Sequence, residues 1–389
     1  MEHIEGQSRN WRLRAFFTSK KGKQLVWLTV FVVVLGVAAL TAYFRYAAPD
    51  HSNIQPSQQT TDTSINPIEI VPPPVKYYSN LDGTETAQNL VNRRPLAIMV
   101  ENHPDARPQA GLNKASQVWE AIVEGGITRF MAVFSAHDAQ KVGPVRSARP
   151  YFIHWASGYQ ALYAHAGGSE AGLKLLSTTN DVTDLPHTSK YFHREPKPGL
   201  AIEHTLFTST NNLYTYAQKK GASLDSSVGP FSFADELTPD RRSTDASITI
   251  DFSSASYKVR WKYDHDRNAY LRFLAGAPHN DRVTGDQLNA RSVVVLTVNR
   301  RYDANTNHGK GEWFMTTEGD GKMLVFQNGT VTEGMWHKAT AGSMLELKDA
   351  SGSEIKLLRG QTWFEVVPPK VPVRHSETLP ANASSTQSE

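Results

Sequence analysis

The 389-residue sequence contains no cysteine. This absence excludes disulfide bonds, thiolate metal sites, cysteine nucleophiles and the attachment of a lipid through cysteine. The fold therefore depends on its hydrophobic core alone. A composition of 39% hydrophobic residues, with 10% aromatic residues, is sufficient to build such a core. The length predicts two domains.

A strong charge of either sign is also missing, since the formal net charge is +3. The first 24 residues hold six basic and two acidic side chains, which leaves a formal charge of about −1 on the remainder. A folded part without net positive charge is not a general binder of polyanions. We therefore expect no nucleic acid among the partners.

One long hydrophobic run is present, at Leu25–Phe44, and it contains no charged residue. About 20 such residues cross a bilayer as a helix, so the run predicts a transmembrane helix. The basic residues before it place 1–24 in the cytoplasm and the chain after Phe44 outside. Ala47 and Ala48 leave a cleaved signal peptide as the alternative, but the length of the run favours an uncleaved, single-pass anchor in the cell membrane.

Beyond the anchor, composition divides the chain into four segments. Residues 45–89 are rich in Ser, Thr, Gln, Asn and Pro and predict a disordered tether, as does the tail 369–389. Residues 90–235 alternate between strand and helix patterns, including a helix over 113–124, and predict an α/β domain with a largely parallel sheet. Residues 246–368 consist of short strands with turns and predict a mostly antiparallel β domain, with a hairpin at Asn328-Gly329.

Loops that leave one edge of the predicted parallel sheet carry the candidate ligand-binding residues. Arginine side chains offer forked donors to carboxylate or phosphate, and glycine turns before a helix expose backbone N–H groups to an anion. The residues predicted to form this anion site are Arg107, Arg146, Arg149, His165, Gly167, Gly168 and Ser169. The alternative is that the arginines pair with Asp105, Glu101 or Glu124.

Catalytic and metal signatures are weaker. The window Gly167–Ala171 lacks the second glycine of the G-x-S-x-G motif of serine hydrolases, so Ser169 does not match that nucleophile. His165, His137 and Glu101 are the remaining candidates for catalysis. The histidines of this half, including His103 and His204, fall into no spacing that enforces coordination, so the sequence predicts neither a metal site nor a cofactor.

Four stretches show a family resemblance over roughly residues 90–368. They include "RPLAIMVENHPDARPQAGLNKASQVWEAIVEGGITRFMAVF", "KVGPVRSARPYFIHWASGYQALYAHAGGSE" and "GAPHNDRVTGDQLNARSVVVL". These stretches, together with the one that begins "VTEGMWHKATAG", resemble the YerB-like bacterial family. The resemblance implies an envelope-facing protein with an α/β and a β portion, and it supplies no activity. Family members that are lipoproteins attach through a cysteine, which this chain lacks.

Two functions follow from these observations as hypotheses. The first is a membrane-anchored extracytoplasmic protein that binds an anionic envelope component or a cell-wall assembly partner. The second is an envelope hydrolase or transferase that acts on wall polymer or on a lipid-linked precursor.

Overall fold

The structure is a computed structural model that describes residues 75–226, 228–229 and 231–379, together with Gly36 and Thr41. The predicted basic tail, nearly all of Leu25–Phe44 and most of the predicted tether lie outside the described residues. Within the described part of the chain, no helix is long and apolar enough to span a membrane.

Within the described part of residues 75–379 the regular structure is mostly β, with three α-helices. The helices are α1 (Pro150–Gly158), α2 (Glu170–Thr178) and α3 (Thr210–Lys219). The strands of the N-terminal half are β1 (Tyr77–Tyr78), β2 (Glu85–Thr86), β3 (Leu96–Glu101), β4 (Gln117–Ile122), β5 (Thr128–Phe134), β6 (Leu162–His165), β7 (Thr183–Pro186), β8 (His193–Arg194) and β9 (Leu206–Phe207).

The C-terminal half contributes fifteen further strands. They are β10 (Phe233–Ala234), β11 (Asp245–Asp251), β12 (Lys258–Asp264), β13 (Ala269–Leu274), β14 (Ala277–Pro278), β15 (Asn289–Ala290), β16 (Ser292–Thr297), β17 (Arg300–Asp303), β18 (Glu312–Met315), β19 (Gly319–Gln327), β20 (Thr330–Lys338), β21 (Glu346–Asp349), β22 (Leu357–Leu358), β23 (Thr362–Val367) and β24 (Val373–Thr378).

A ten-stranded sheet runs in the order β21-β20-β19-β16-β23-β4-β5-β3-β6-β7 and contains strands of both halves. The prediction of a largely parallel sheet for the N-terminal half is wrong. Strand β5 is antiparallel to both β3 and β4, whereas β6 is parallel to β3 and to β7, so the sheet is mixed. The two halves join where β23 runs parallel to β4.

The predicted helix over 113–124 is strand β4, preceded by a short 3-10 turn at Leu112–Lys114. The polar residues Gln117 and Glu120 stand three positions apart within the apolar run, which is the spacing of residues on the solvent-facing side of an amphipathic helix. Both are fully buried and bonded in the structure: Gln117 Oε1 accepts from the hydroxyl of Tyr159, and Glu120 pairs with Arg272. A central strand is covered on both faces, which removes the alternation by which strands are usually predicted.

Both faces of the ten-stranded sheet are covered by apolar side chains. On one face Ala97, Met99 and Trp119 pack with residues of α1, and Trp119 stacks on Phe364 with ring centroids 4.1 Å apart. On the other face Ile98 and other core residues pack with α3 and with a six-stranded antiparallel sheet built from β11 to β15 and β24. The large sheet is therefore the middle one of three layers.

Several local predictions are confirmed. The patterns of "RPYFIHWASGY" (149–159), "SEAGLKLLST" (169–178) and "TSTNNLYTYAQKKG" (208–221) each predict a helix, and these helices are α1, α2 and α3. The hairpin at Asn328-Gly329 joins β19 to β20, and the C-terminal half is mostly antiparallel. By contrast, residues 75–89, which the sequence assigns to the disordered tether, contain β1, β2 and the buried Leu81. Strand β24, within the predicted tail, pairs with β11.

Candidate functional site

Two of the three predicted anion-binding arginines hold carboxylates of this chain. Arg146 Nε contacts Oε2 of Glu101, whose side chain is 1% exposed. Arg149 Nε donates to Glu124 Oε1 at 2.7 Å, and a second guanidinium nitrogen donates to the other carboxylate oxygen. These are the pairings that the sequence left open as the alternative to a ligand. The forked arginine geometry is present, and glutamates are the anions within it.

The Gly167-Gly168-Ser169 turn also receives a carboxylate from the chain. Ser169 caps α2, because its Oγ accepts from Gly172 N–H at 3.2 Å, and the same hydroxyl donates to Glu312. Glu312 is fully buried beside this helix N-terminus, and its burial raises the pKa of its carboxyl group. Gly167 lies at a φ of 68°, which favours glycine, so the turn also has a structural role.

The three catalytic candidates make separate contacts in the structure. His165 is 2% exposed, with Nδ1 2.6 Å from the carbonyl of Gly167 and Nε2 2.8 Å from Asp184 Oδ1. His137 contacts Thr84, and Glu101 pairs with Arg146. Within the described part of the chain no hydrogen bond or ion pair joins the three candidates to one another.

Polar side chains fix the backbone of the loop that follows β3 through hydrogen bonds. Gln109 Nε2 donates to the carbonyl of Glu101 at 2.9 Å and to Asn102 Oδ1 at 3.0 Å. Arg107 Nε donates to the same Asn102 oxygen at 3.1 Å, and the backbone carbonyl of Asn102 accepts a second Arg107 bond at 2.9 Å. Burial lowers the pKa of the Arg107 guanidinium. The loop therefore presents its outer side chains from a fixed backbone.

His279 connects this loop to a buried ion cluster. Its Nε2 lies 2.7 Å from Gln109 Oε1, and its Nδ1 accepts from Arg272 Nε at 3.1 Å. Because arginine is always a donor, Nδ1 carries no proton and Nε2 donates. Burial, followed by the charge of Arg272, holds the pKa of His279 well below its usual value. The neutral imidazole thus connects Arg272 of the cluster to Gln109 of the loop through its two ring nitrogens.

The cluster itself places one guanidinium between two glutamates, all three side chains being 0% exposed. Arg272 donates to Glu365 Oε1 at 2.6 Å and contacts Glu120 with its other terminal nitrogen. Burial and the nearby Glu120 raise the pKa of Glu365 to about 8. One cation thus faces two carboxyl groups, and the pair retains a proton near neutral pH.

This proton predicts a pH dependence of stability. A carboxyl group whose pKa is raised on folding binds more protons in the folded state, so its stabilising contribution is lost as pH rises from about 4.5 to about 8. We expect the free energy of unfolding of the wild type to fall over this interval relative to that of Glu365→Gln, which has no proton to lose. Urea unfolding of both proteins from pH 5 to pH 8.5 checks this, and parallel pH profiles would contradict it.

An open cleft of about 680 Å³ borders the loop. Its lining includes three cationic side chains, Arg107, Lys197 and Arg282, and two carboxylates, Asp105 and Glu195. Arg282 comes from the C-terminal half and is fixed by a bond from its Nε to the carbonyl of Pro108 at 2.9 Å. Of the predicted site residues, the cleft lining contains Arg107.

Sequence reasoning did not find Lys197, Arg282 or the carboxylate of Glu312 as site residues. Arg282 lies 174 positions from its bonding partner Pro108, and Glu312 lies 143 positions from Ser169. Such separations leave no spacing signal in the sequence. A weak signal for Arg282 existed, since it stands in the stretch "GAPHNDRVTGDQ" that carries the family resemblance.

Two family models match the chain, one to each half. Residues 81–223 match the N-terminal domain, and residues 248–364 the C-terminal domain, of a "Protein of unknown function (DUF3048)". The sequence is 32% identical over 298 residues to "Putative lipoprotein YerB" of Bacillus subtilis (strain 168), an alignment that spans 75% of this chain and 87% of that protein.

A solved structure shows the same fold. The crystal structure of the YerB protein from Bacillus subtilis superposes with a TM-score of 0.67 at 29% identity and covers 77% of this chain and 100% of that one. The resemblance found in the sequence is confirmed by both comparisons. The chain belongs to the YerB-like family, whose two domains are of unknown function.

Proposed function

We propose that this chain is an extracytoplasmic binding protein that takes an anionic component of the cell envelope into the cleft lined by Arg107, Lys197 and Arg282. One observation carries this proposal. Within the described part of the chain, none of these three cations has a carboxylate oxygen within 4.0 Å, whereas Arg146 and Arg149 each have one. Cations without a carboxylate partner, grouped in a cleft, attract an anion, and the guanidinium nitrogens that are not bonded to Asn102 or Pro108 remain to donate to it.

The carboxylates of the cleft reduce this charge only in part. Glu195 Oε1 lies 2.7 Å from the ammonium of Lys141 and 3.2 Å from His193 Nε2, so it is neutralised by neighbours outside the cleft lining. Asp105 lies 3.6 Å from His103 Nδ1 and has a side chain that is 65% exposed. The cleft therefore keeps a positive balance at its Arg107 and Arg282 side.

We place the ligand at this cleft rather than at the Gly167-Gly168-Ser169 turn. The turn resembles an anion-binding helix N-terminus, but Glu312 already supplies a carboxyl group there. Arg107 keeps the ligand-binding role that the sequence predicts for it. A cell-wall assembly protein that presents an acidic segment is the partner that the same chemistry would accept.

The membrane location is part of the proposal. One relative is named "Putative lipoprotein YerB", whereas this sequence has no cysteine to carry a lipid. We propose that Leu25–Phe44 replaces the lipid as a single-pass anchor, with residues 1–24 in the cytoplasm and the bulk of the chain outside. Protease added to spheroplasts should then remove the C-terminal half and spare a tag placed before Trp11.

Loss of a cleft arginine should weaken anion binding. We expect Arg107→Ala and Arg282→Ala each to cost about 1.5–3 kcal/mol, the range of hydrogen bonds to charged groups, and Lys197→Ala about 1 kcal/mol or less because its ammonium is exposed. The measurement is titration of the purified full-length chain with poly(glycerol phosphate) or polyglutamate, which distinguishes phosphate from carboxylate. Binding should also weaken as salt is raised.

Arg241→Ala and Lys262→Ala serve as controls, because both side chains are exposed cations outside the cleft. Equal losses in the control and cleft variants would indicate diffuse electrostatic attraction and contradict a site. Failure of both polymers to bind would contradict the anion proposal. Shortened polymer in the same tubes would favour the alternative, a hydrolase or transferase.

A further inference from the structure

We propose that His103, Asp105 and His204 form a binding site for a divalent transition metal ion of the zinc class. Each of the three residues offers one ligand atom, and these atoms all lie within 4.8 Å of one another. The proposal does not depend on anion binding in the neighbouring cleft, because the ligand atoms belong to other side chains than the three cations.

The fold brings the three residues together from two separate segments. His103 and Asp105 stand in the loop after β3, and His204 ends the 3-10 turn Ile202–His204, about a hundred positions later. The rings of His103 and His204 stack with centroids 4.9 Å apart and planes inclined by 12°. Two histidines and an aspartate therefore meet although their sequence spacing matches no metal motif.

His204 provides a second, independent observation. Its side chain is 8% exposed, and its buried Nδ1 makes no hydrogen bond within the described part of the chain, although Oε2 of Glu101 lies 3.4 Å away. A buried carboxylate beside a histidine orients the ring of a metal ligand and raises its basicity. Glu101 is itself held by Arg146, so the orienting carboxylate is fixed in turn.

The donor set selects the class of ion. Two imidazole nitrogens with one carboxylate suit zinc and neighbouring transition metals, whereas magnesium and calcium prefer oxygen ligands alone. Three protein ligands would leave a coordination position for water or for another ligand. Asp105 also lines the cleft, so that open position would lie at the edge of the cleft.

Binding requires a small rearrangement, and the exposed side chains allow it. Ligand atoms around a tetrahedral zinc ion stand about 3.4 Å apart, given bond lengths of about 2.0–2.2 Å. The ligand atoms lie within 4.8 Å of one another, and the nearly parallel rings of His103 and His204 cannot both direct a nitrogen lone pair at one ion. The side chains of His103 and Asp105 are 35% and 65% exposed, so they can rotate toward the buried His204.

The test is calorimetric titration of the full-length chain with zinc chloride after treatment with a chelator. We expect one ion per chain, no comparable binding of magnesium, and at least a tenfold loss of zinc affinity in each of His103→Ala, Asp105→Asn and His204→Ala. His187→Ala and Asp266→Asn are matched controls, since both residues are exposed and stand outside the site. Both controls should keep the wild-type affinity.

A second readout separates loss of the site from loss of the fold. Bound zinc should raise the melting temperature of the wild type by mass action, and this increase should vanish in Asp105→Asn, whose exposed side chain can be changed without disturbing the core. Cobalt should give the visible absorption of a tetrahedral site in the wild type and in both controls, and not in the three site variants. Absence of zinc binding by the wild type, or undiminished binding by the three variants, would overturn the proposal.

Discussion

Arg272→Met is expected to lower the free energy of unfolding by about 3–5 kcal/mol, the cost of removing one partner from a buried ion pair. Arg272 is 0% exposed and lies between Glu120 and Glu365, which are equally buried. Its guanidinium carbon is also 4.3 Å from the ring centroid of Trp363 and 4.9 Å from that of Trp261. Methionine fills part of the volume but leaves two carboxyl groups without their cation.

Urea unfolding followed by tryptophan fluorescence measures this loss. Arg260→Met is the matched control, because Arg260 also lies over an aromatic ring, that of Phe273 at 4.4 Å, but on an exposed position of β12. We expect that control to change stability by less than about 1 kcal/mol. The triple change Arg272→Met, Glu120→Gln, Glu365→Gln should recover part of the loss, since neutral amides replace the carboxyl groups that have lost their cation. A single variant as stable as the wild type would refute the role of the cluster.

Local signals in the sequence were sufficient where a single segment determines its own conformation. Asn328-Gly329 predicts its hairpin because both residues adopt positive φ, at 55° and 74°. Helix α2 follows from Ser169 as an N-cap and from an amphipathic pattern. Strand β4 was predicted wrongly because the partners of Gln117 and Glu120 come from distant segments, and a local pattern cannot distinguish a buried polar residue from an exposed one.

The sequence predicts which loops lie at the candidate site, but not which side chains pair with the predicted residues there. Strands β3 and β6 are parallel, so Arg107 and Gly167 do follow strands that end at the same edge. Strand β5 runs the other way, and Arg146 reaches this edge because the chain returns beside β3, where its N–H bonds to Met99. The carboxylate of Glu312 arrives from β18, which no local pattern could have placed there.

The second large effect concerns the two halves of the chain. We expect the fragments 75–235 and 246–379 to be unfolded or aggregated when each is produced alone, and to form a stable complex when produced together. Strands β4 and β23 pair over five residues in the middle of the ten-stranded sheet, so separation would expose two long hydrophobic edges. Circular dichroism of each fragment, and co-purification through a tag on one, are the measurements.

The side chains at this junction give the reason and the control. Phe364 of β23 stacks on Trp119 of β4, and Arg272 reaches across to Glu120, so each half lacks part of its core and one ion partner without the other. Phe364→Ala should weaken the complex of the two fragments strongly, because removing a buried aromatic costs about 3–5 kcal/mol. Phe314→Ala, at a partly exposed position of β18, should leave it intact. Two fragments that fold separately and do not associate would contradict this expectation. They would show that each half, on its side of the boundary near 235–246, has its own hydrophobic core.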